Sequence, residues 1–314
     1  SGPAAALPDL IVVQSESFFD ARRLSGGVRG DILQHFDDAR RVAVAEGRLQ
    51  VPAWGANTVR TEFAFLSGVP SASLGVDRLN PYRAMALQPV PTVASYMRAL
   101  GYRTICVHPY ASTFYGRDRV FPVLGFDEFV DLRSFAGSRT CGPYVSDASV
   151  ADKIISLVGP SDRPVFVFAI TMENHGPLSL ETVSRGESAL YFDPSRDGGQ
   201  AAPHDLTVYL RHLRNADRMV GDLRAWMKDR SRPGVLCFYG DHLPIMPDVY
   251  NLGSIPDGST DYVIWDNRRR SGGRTEDISV DRLGVLLLEE AGLMSVSAPT
   301  RSAGVLRASE CSCS

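Results

Sequence analysis

No uninterrupted apolar run in the 314-residue chain approaches the roughly 18 residues that a membrane-spanning helix needs. The opening Ser1–Pro8 has neither a charged region nor an apolar core, so it does not read as a signal peptide. It starts on Ser-Gly rather than Met and is expected to be a linker remnant, with any membrane anchor of the full-length protein lying outside the chain. An excess of one charge is also missing. Against 33 Lys and Arg stand 36 Asp and Glu, a net charge of -3 and a pI near 6.1, so no global basic field exists to hold nucleic acid. Lysine is nearly absent, with only Lys153 and Lys228, and the arginine bias fits a GC-rich genome at least as well as phosphate recognition. The cysteines number five, an odd count that fixes no disulfide framework. Cys106 and Cys237 fall inside apolar runs and are expected as buried thiols, whereas Cys141, Cys311 and Cys313 lie in polar surroundings.

What remains is an ordinary globular composition, 44% hydrophobic and 22% charged. Short apolar runs at Leu10–Val13, Thr104–Val107, Val165–Ile170, Val235–Tyr239 and Tyr262–Trp265 read as buried parallel strands. Between them, Val93–Leu100, Ser146–Leu157, Leu206–Lys228 and Ser279–Ala291 carry apolar residues at helical spacing. Alternation of strands with helices predicts an α/β fold with a mostly parallel central sheet. Ser184–His204, Gly253–Thr260 and Arg268–Arg274 read as polar loops. The expected organisation is one catalytic domain over 9–301, followed by a peripheral strand and frayed tail over 302–314.

In open parallel sheets, loops at the carboxyl ends of the strands converge on one crevice. The residues ending the apolar runs are Gln14-Ser15-Glu16-Ser17, His108-Pro109-Tyr110, Glu173-Asn174-His175-Gly176-Pro177 and Gly240-Asp241-His242. Each alone is explained by a cap, a turn or an ion pair. Together they bring histidines and carboxylates to one sheet edge, and burying so many ionisable groups is costly unless a metal or substrate compensates. A further segment, Trp54-Gly55-Ala56-Asn57-Thr58-Val59-Arg60-Thr61-Glu62-Phe63, reads as a helix start with Asn57 or Thr58 as cap, Glu62 in the first turn and Gly68 as stop. A hydroxyl there has free amide protons and the positive end of the helix dipole beside it, which suits a nucleophile that must hold a phosphoryl group. Thr58 and Thr61 both satisfy that local requirement.

The motifs Glu-Ser-Phe at Glu16, Asn-Thr-x-x-x-Glu-Phe at Asn57, Asn-His-Gly-Pro at Asn174 and Gly-Asp-His at Gly240 come in an order that resembles the extracellular domains of lipoteichoic acid synthases and related phosphoglycerol transferases. These belong to the sulfatase-like, alkaline-phosphatase-like superfamily. The similarity spans roughly Asp9 to Leu293. It implies a metal held by Glu16, Thr58, Asp241 and His242, with Thr58 rather than Thr61 as nucleophile. Manganese is the implied metal; one imidazole among hard oxygens also suits zinc, and magnesium less well. The resemblance maps the substrate pocket onto His108, Tyr110, Tyr115, Arg117, His175 and Gln14, with Arg117 clamping phosphate through its planar fork and His175 or His108 as general acid and base. Gln14 stands where the synthases have a histidine, Tyr110 where they have an acidic glycerol contact, and Tyr115 in place of a tryptophan. The implied activity moves glycerophosphate from a phospholipid such as phosphatidylglycerol, through Thr58, to a glycan or glycerophosphate hydroxyl. The implied location is the periplasmic or extracellular face of a bacterial envelope.

A true sulfatase needs a Cys/Ser-x-Pro-x-Arg segment, and the nearest match, Cys141-Gly142-Pro143-Tyr144-Val145, lacks the arginine. A phosphoethanolamine transferase would use the same threonine and metal, with more histidine ligands and more disulfides. A glycerophosphodiester hydrolase needs only water in place of the acceptor. A catalytically dead sensor on the same fold would have no use for the intact Glu16, Thr58, Asp241 and His242.

Overall fold

The computed structural model describes residues 6–85, 90–252, 255–269 and 272–294. The five apolar runs become strands β1 (Asp9–Ser15), β3 (Arg103–Val107), β5 (Val165–Ile170), β6 (Gly234–Gly240) and β7 (Thr260–Asp266). They are joined by β2 (Ala45–Gln50), β4 (Glu128–Val130) and the two-residue strands β8 (Arg274–Thr275) and β9 (Ile278–Ser279). The order across the sheet is β8-β2-β7-β6-β1-β5-β3-β4, with β9 also on β2. β6, β1, β5, β3 and β4 are mutually parallel.

β7 departs from the expectation of a parallel strand: it runs antiparallel to both β6 and β2. The reason lies in the connection. The chain leaves β6 through the Asp241 loop and a short helix, Pro247–Leu252, and no long helix crosses a sheet face to reset its direction. β2 and β4 have no counterpart among the apolar runs because both lie toward the sheet margins. β2 alternates buried and half-exposed residues, and β4 has three residues.

Helices cover both faces. On one lie α1 (Gln34–Arg40), α5 (Asp147–Val158) and α6 (His204–Lys228), packed with Ile11, Val13, Val167 and Phe238. On the other lie α2 (Thr58–Ser67), α3 (Val93–Ala99), α4 (Arg117–Leu124) and α7 (Val280–Glu290), packed with Leu10, Val12, Phe168 and Ile264. Alternate residues of β1 thus serve opposite cores, which is why this strand is apolar on both faces and wholly buried. The loop over 184–203 is more than a surface strap: Tyr191 and Phe192 are buried in it, and Phe192 pairs with Val28. Cys106 and Cys237 are buried thiols, as expected. The expected strand and tail over 302–314, with Cys311 and Cys313, lie outside the described residues.

Candidate active site

The carboxyl ends of β1 and β6 are adjacent, and Ser15 is in register with Gly240. The chain after β1 turns so tightly against β6 that a Cβ on Gly240 would sit 1.7 Å from the Phe18 carbonyl oxygen. Only glycine permits that approach, and it brings Glu16 beside Asp241 and His242. Ligand-type atoms of these three residues lie within 4.8 Å of one another. All three are buried, at 3%, 0% and 2% exposure.

Ser17 holds the arrangement. Its backbone adopts φ 55°, its amide donates to Asp241 Oδ1 at 2.8 Å, and its hydroxyl donates to Glu16 Oε1 at 2.9 Å. The Tyr209 hydroxyl of α6 donates to the Ser17 carbonyl at 2.8 Å and fixes the turn from behind. Non-glycine residues with positive φ are Ser17, Asn57 and Tyr115 among the described residues, and each adjoins this site. Such conformations cost on the order of 1 kcal/mol each and persist where the surroundings over-determine them.

The electrostatics show a site short of positive charge. Burial pushes Glu16 up from its ordinary value against the attraction of His242. Burial and the neighbouring Glu16 push Asp241 up to about 7, against the pull of His242, the Ser17 amide and Thr58. Burial alone would lower His242, but Asp241 and Glu16 prevail and its pKa is raised. Asp241 Oδ2 is buried with no hydrogen-bond partner. Two crowded carboxylates, one orphaned oxygen and an imidazole form a donor set that fits a divalent cation.

α2 begins at Thr58, with Asn57 at the preceding position in a left-handed conformation. Asn57 occupies the cap position but makes no side-chain capping bond, so the first-turn amides are not spent on it. The two threonines differ in burial. Thr61 is fully buried and donates to the Asp241 carbonyl at 2.8 Å, which pins the helix start against the cluster. Thr58 is half-buried and lines a cleft of about 130 Å³ together with Ala56, Asn57, His108, Tyr110, Phe114, Tyr115, Arg117, Met172 and His175. Glu62 falls beyond the first turn, a correction to its expected place, and it acts elsewhere.

Its partner is Arg117. Arg117 Nε and Nη2 donate to Glu62 Oε1 and Oε2 at 3.1 and 2.7 Å, both residues are buried, and the Tyr82 hydroxyl also bonds Glu62. One edge of the guanidinium fork expected to grip phosphate is therefore occupied. Nη1 remains, 3.2 Å from His108 Nε2. His108 Nδ1 donates to the Ile170 carbonyl at 3.0 Å, and burial with the neighbouring Arg117 charge pushes its pKa well below the usual value. His108 is thus a neutral acceptor on Nε2. His175 is exposed, its Nδ1 lies 2.7 Å from the Gly176 carbonyl oxygen, and the Tyr144 hydroxyl is 3.2 Å away. The Tyr110, Phe114 and Tyr115 rings form one wall, with centroids 5.3 and 4.3 Å apart along the series.

Gln14 does not join this wall. It is fully buried within β1, and its Oε1 accepts from the Tyr239 hydroxyl at 2.8 Å. Glu173, although it follows β5, also turns away. It bonds His212 at 3.0 Å, Asn215 at 2.6 Å and the Asp147 amide at 2.7 Å, in a second group with Cys141. Sequence reasoning gave no hint of His212, because it lies mid-helix and far from any strand end.

A mostly parallel sheet flanked by helices, with a Glu, Asp and His cluster at its strand ends, is the architecture of the alkaline-phosphatase-like class. A sulfatase family model matches residues 8–289, and the chain belongs to that family. The capsular polysaccharide biosynthesis protein RkpI of Rhizobium meliloti (strain 1021) is 35% identical over 82% of this chain and 45% of its own length. The chain spans about half the length of the curated relatives it matches. The phosphoglycerol transferase GacH of Streptococcus pyogenes, solved with sn-glycerol-1-phosphate, has a TM-score of 0.72 at 24% identity, covering 94% of this chain and 82% of that one. The lipoteichoic acid synthase LtaP of Listeria monocytogenes gives 0.69 at 18% identity, covering 93% and 74%. The expected fold and family are borne out. Among the described residues no helix is long and apolar enough to cross a membrane.

Proposed function

We propose that the protein is a metal-dependent phosphoglycerol transferase that forms a phosphodiester on Thr58. The observation that carries this reading is the half-buried Thr58 at the first turn of α2, held against a buried, charge-deficient Glu16, Asp241 and His242 cluster. Those three residues and Thr58 would hold one divalent cation, with Mn2+ favoured and Zn2+ or Mg2+ as alternatives. When bound, the cation lowers the pKa of the Thr58 hydroxyl and withdraws charge from phosphate oxygen.

Thr58 Oγ attacks phosphorus and loses its proton to solvent, and the bond from phosphorus to the diacylglycerol oxygen breaks. Protonated His175 supplies the departing alkoxide with its proton. In the second step His175 Nε2 takes the proton of the acceptor hydroxyl, whose oxygen attacks phosphorus as the bond from phosphorus to Thr58 Oγ breaks and the released Thr58 oxygen regains a proton from solvent. Arg117 Nη1 hydrogen-bonds a phosphate oxygen while Glu62 fixes the rest of the guanidinium. The aromatic wall of Tyr110, Phe114 and Tyr115 encloses the transferred head group. Relatives named for capsular polysaccharide and cyclic glucan chemistry support an envelope glycan as acceptor, and hence a periplasmic or extracellular site of action with an anchor elsewhere in the full-length protein.

The exposure of His175 also favours a second reading, hydrolysis of glycerophosphodiesters, since water has access to this side chain. The test is to incubate the protein with phosphatidylglycerol or phosphatidylethanolamine and weigh the peptide containing Thr58. A glycerophosphate adduct on Thr58, with turnover falling by about four orders of magnitude or more in Thr58→Ala, is expected. A phosphoethanolamine adduct would redirect the substrate assignment. Undiminished turnover by Thr58→Ala would overturn the nucleophile.

A further inference from the structure

The segment Ser71–Leu79 follows α2 as two short helical turns broken at Gly75, where φ is 52°. Leu74 packs inward against the α2 side of the core, which fixes the segment and turns its other apolar residues out. Val76 is 92% exposed and Leu79 58% exposed. Two apolar side chains in one short turn, standing in water, are an unfavourable arrangement unless another phase receives them.

Two arginines and one acid lie beside them. Arg60 lies in the first turn of α2, close to Thr58, and its Nη2 is 3.5 Å from the Ser71 hydroxyl. Its pKa is lowered, first by burial and then by repulsion from Arg78 of the exposed segment. Asp77 is the acid of the same segment and offsets part of this field. Phe114, 47% exposed, adds an apolar edge at the rim of the cleft itself.

We propose that the Val76, Arg78 and Leu79 turn, with Arg60 behind it, is a docking surface for an anionic bilayer, which seats the cleft on the lipid that contains its donor. This rests on the proposed phospholipid donor. A head group anchored in a bilayer reaches Thr58 only if the rim of the cleft comes down to the interface. Exposed apolar side chains flanked by arginine suit that boundary, since the former enter the acyl region and the latter meet lipid phosphate.

The test is co-sedimentation of the chain with vesicles of phosphatidylcholine alone or doped with phosphatidylserine or phosphatidylglycerol. Phosphatidylserine is included because it is anionic without being the proposed donor. Both anionic vesicles are expected to bind the protein, at least about tenfold better than phosphatidylcholine, and high salt should weaken them. Arg78→Gln should lower partitioning about fivefold and the double variant Val76→Asp, Leu79→Asp about tenfold. Turnover of a water-soluble phosphodiester should stay unchanged in these variants. Binding to phosphatidylglycerol alone would mean capture in the cleft and would overturn the docking surface, as would equal binding by wild type and the double variant. Vesicle binding without any attack on phosphatidylglycerol would instead refute the donor and leave the surface standing.

Discussion

The Glu16, Asp241 and His242 group and the Cys141, Glu173 and His212 group each place ligand-type atoms within 4.8 Å of one another. They differ in what those atoms already touch. In the second group His212 is clamped on both nitrogens, by Glu173 at 3.0 Å and by Glu181 at 3.0 Å, and Glu173 accepts further bonds from Asn215 and the Asp147 amide. Burial opposes ionisation of Glu173, yet these donors hold its pKa below the ordinary value. In the first group the carboxylates are pushed the other way, and Asp241 Oδ2 has no hydrogen-bond partner, with His242 Nε2 at 3.4 Å beside it. Proximity of ligand types therefore does not define a metal site. An unmet electrostatic demand on the ligand atoms themselves does, because ligand carboxylates already held by hydrogen-bond donors gain little from an ion.

The comparison breaks most directly on metal content. Purified protein should hold about one equivalent of divalent metal by elemental mass spectrometry, and Asp241→Ala should lose it together with at least about a hundredfold of activity. Cys141→Ser should retain both. A second equivalent that disappears with Cys141→Ser would make the two groups alike.

The next largest effect concerns stability. His212→Gln removes the imidazole that bridges the buried Glu173 and half-buried Glu181 carboxylates and should cost about 3–5 kcal/mol in urea unfolding, while turnover at low temperature stays within about tenfold of wild type. Loss of turnover without loss of stability would move His212 into the catalytic machinery.

A smaller effect separates the groups by pH. With raised pKa values, Glu16 and Asp241 keep protons in the folded metal-free protein that the unfolded chain has released. Between the unfolded value and about 7 the folded state binds more protons, so stability declines as pH rises through that window. His242, raised by the same carboxylates, adds in the same direction. Metal-free protein should therefore lose roughly 2–4 kcal/mol from pH 5 to pH 8, and saturating manganese should flatten the profile. A metal-free profile that is already flat would mean the carboxylates are compensated within the protein.

The smallest effect is chemical. Burial and the nearby Glu173 push the Cys141 thiol up to about 12. At pH 8 only about one molecule in ten thousand carries the thiolate, so Cys141 should resist alkylation in the native state and react at the ordinary rate in urea. Rapid native alkylation would show an open second group.

Much of this was legible before any coordinates. Parallel strands buried on both faces must be apolar throughout, so β1, β3, β5 and β6 announced themselves, and the polar residues ending them marked the sheet edge. Helical spacing located α3, α5, α6 and α7 to within a residue or two. The antiparallel direction of β7 was hidden because an apolar run carries no sign. Strand β2 was hidden because a half-exposed strand near a sheet margin is compositionally ordinary.

At the site, the sequence by itself determined which chemical groups were present and which loops carried them, since motif residues are local and the strand ends bring them to one edge. Their surroundings came from the tertiary structure. It buried Thr61 on a carbonyl and left Thr58 at the cleft, engaged one edge of Arg117 with Glu62, withdrew Gln14 into β1 and sent Glu173 to His212. Each of these is a contact between residues distant in the chain, set by which face of a strand or helix meets its neighbour. Spacing along the sequence carries no record of that.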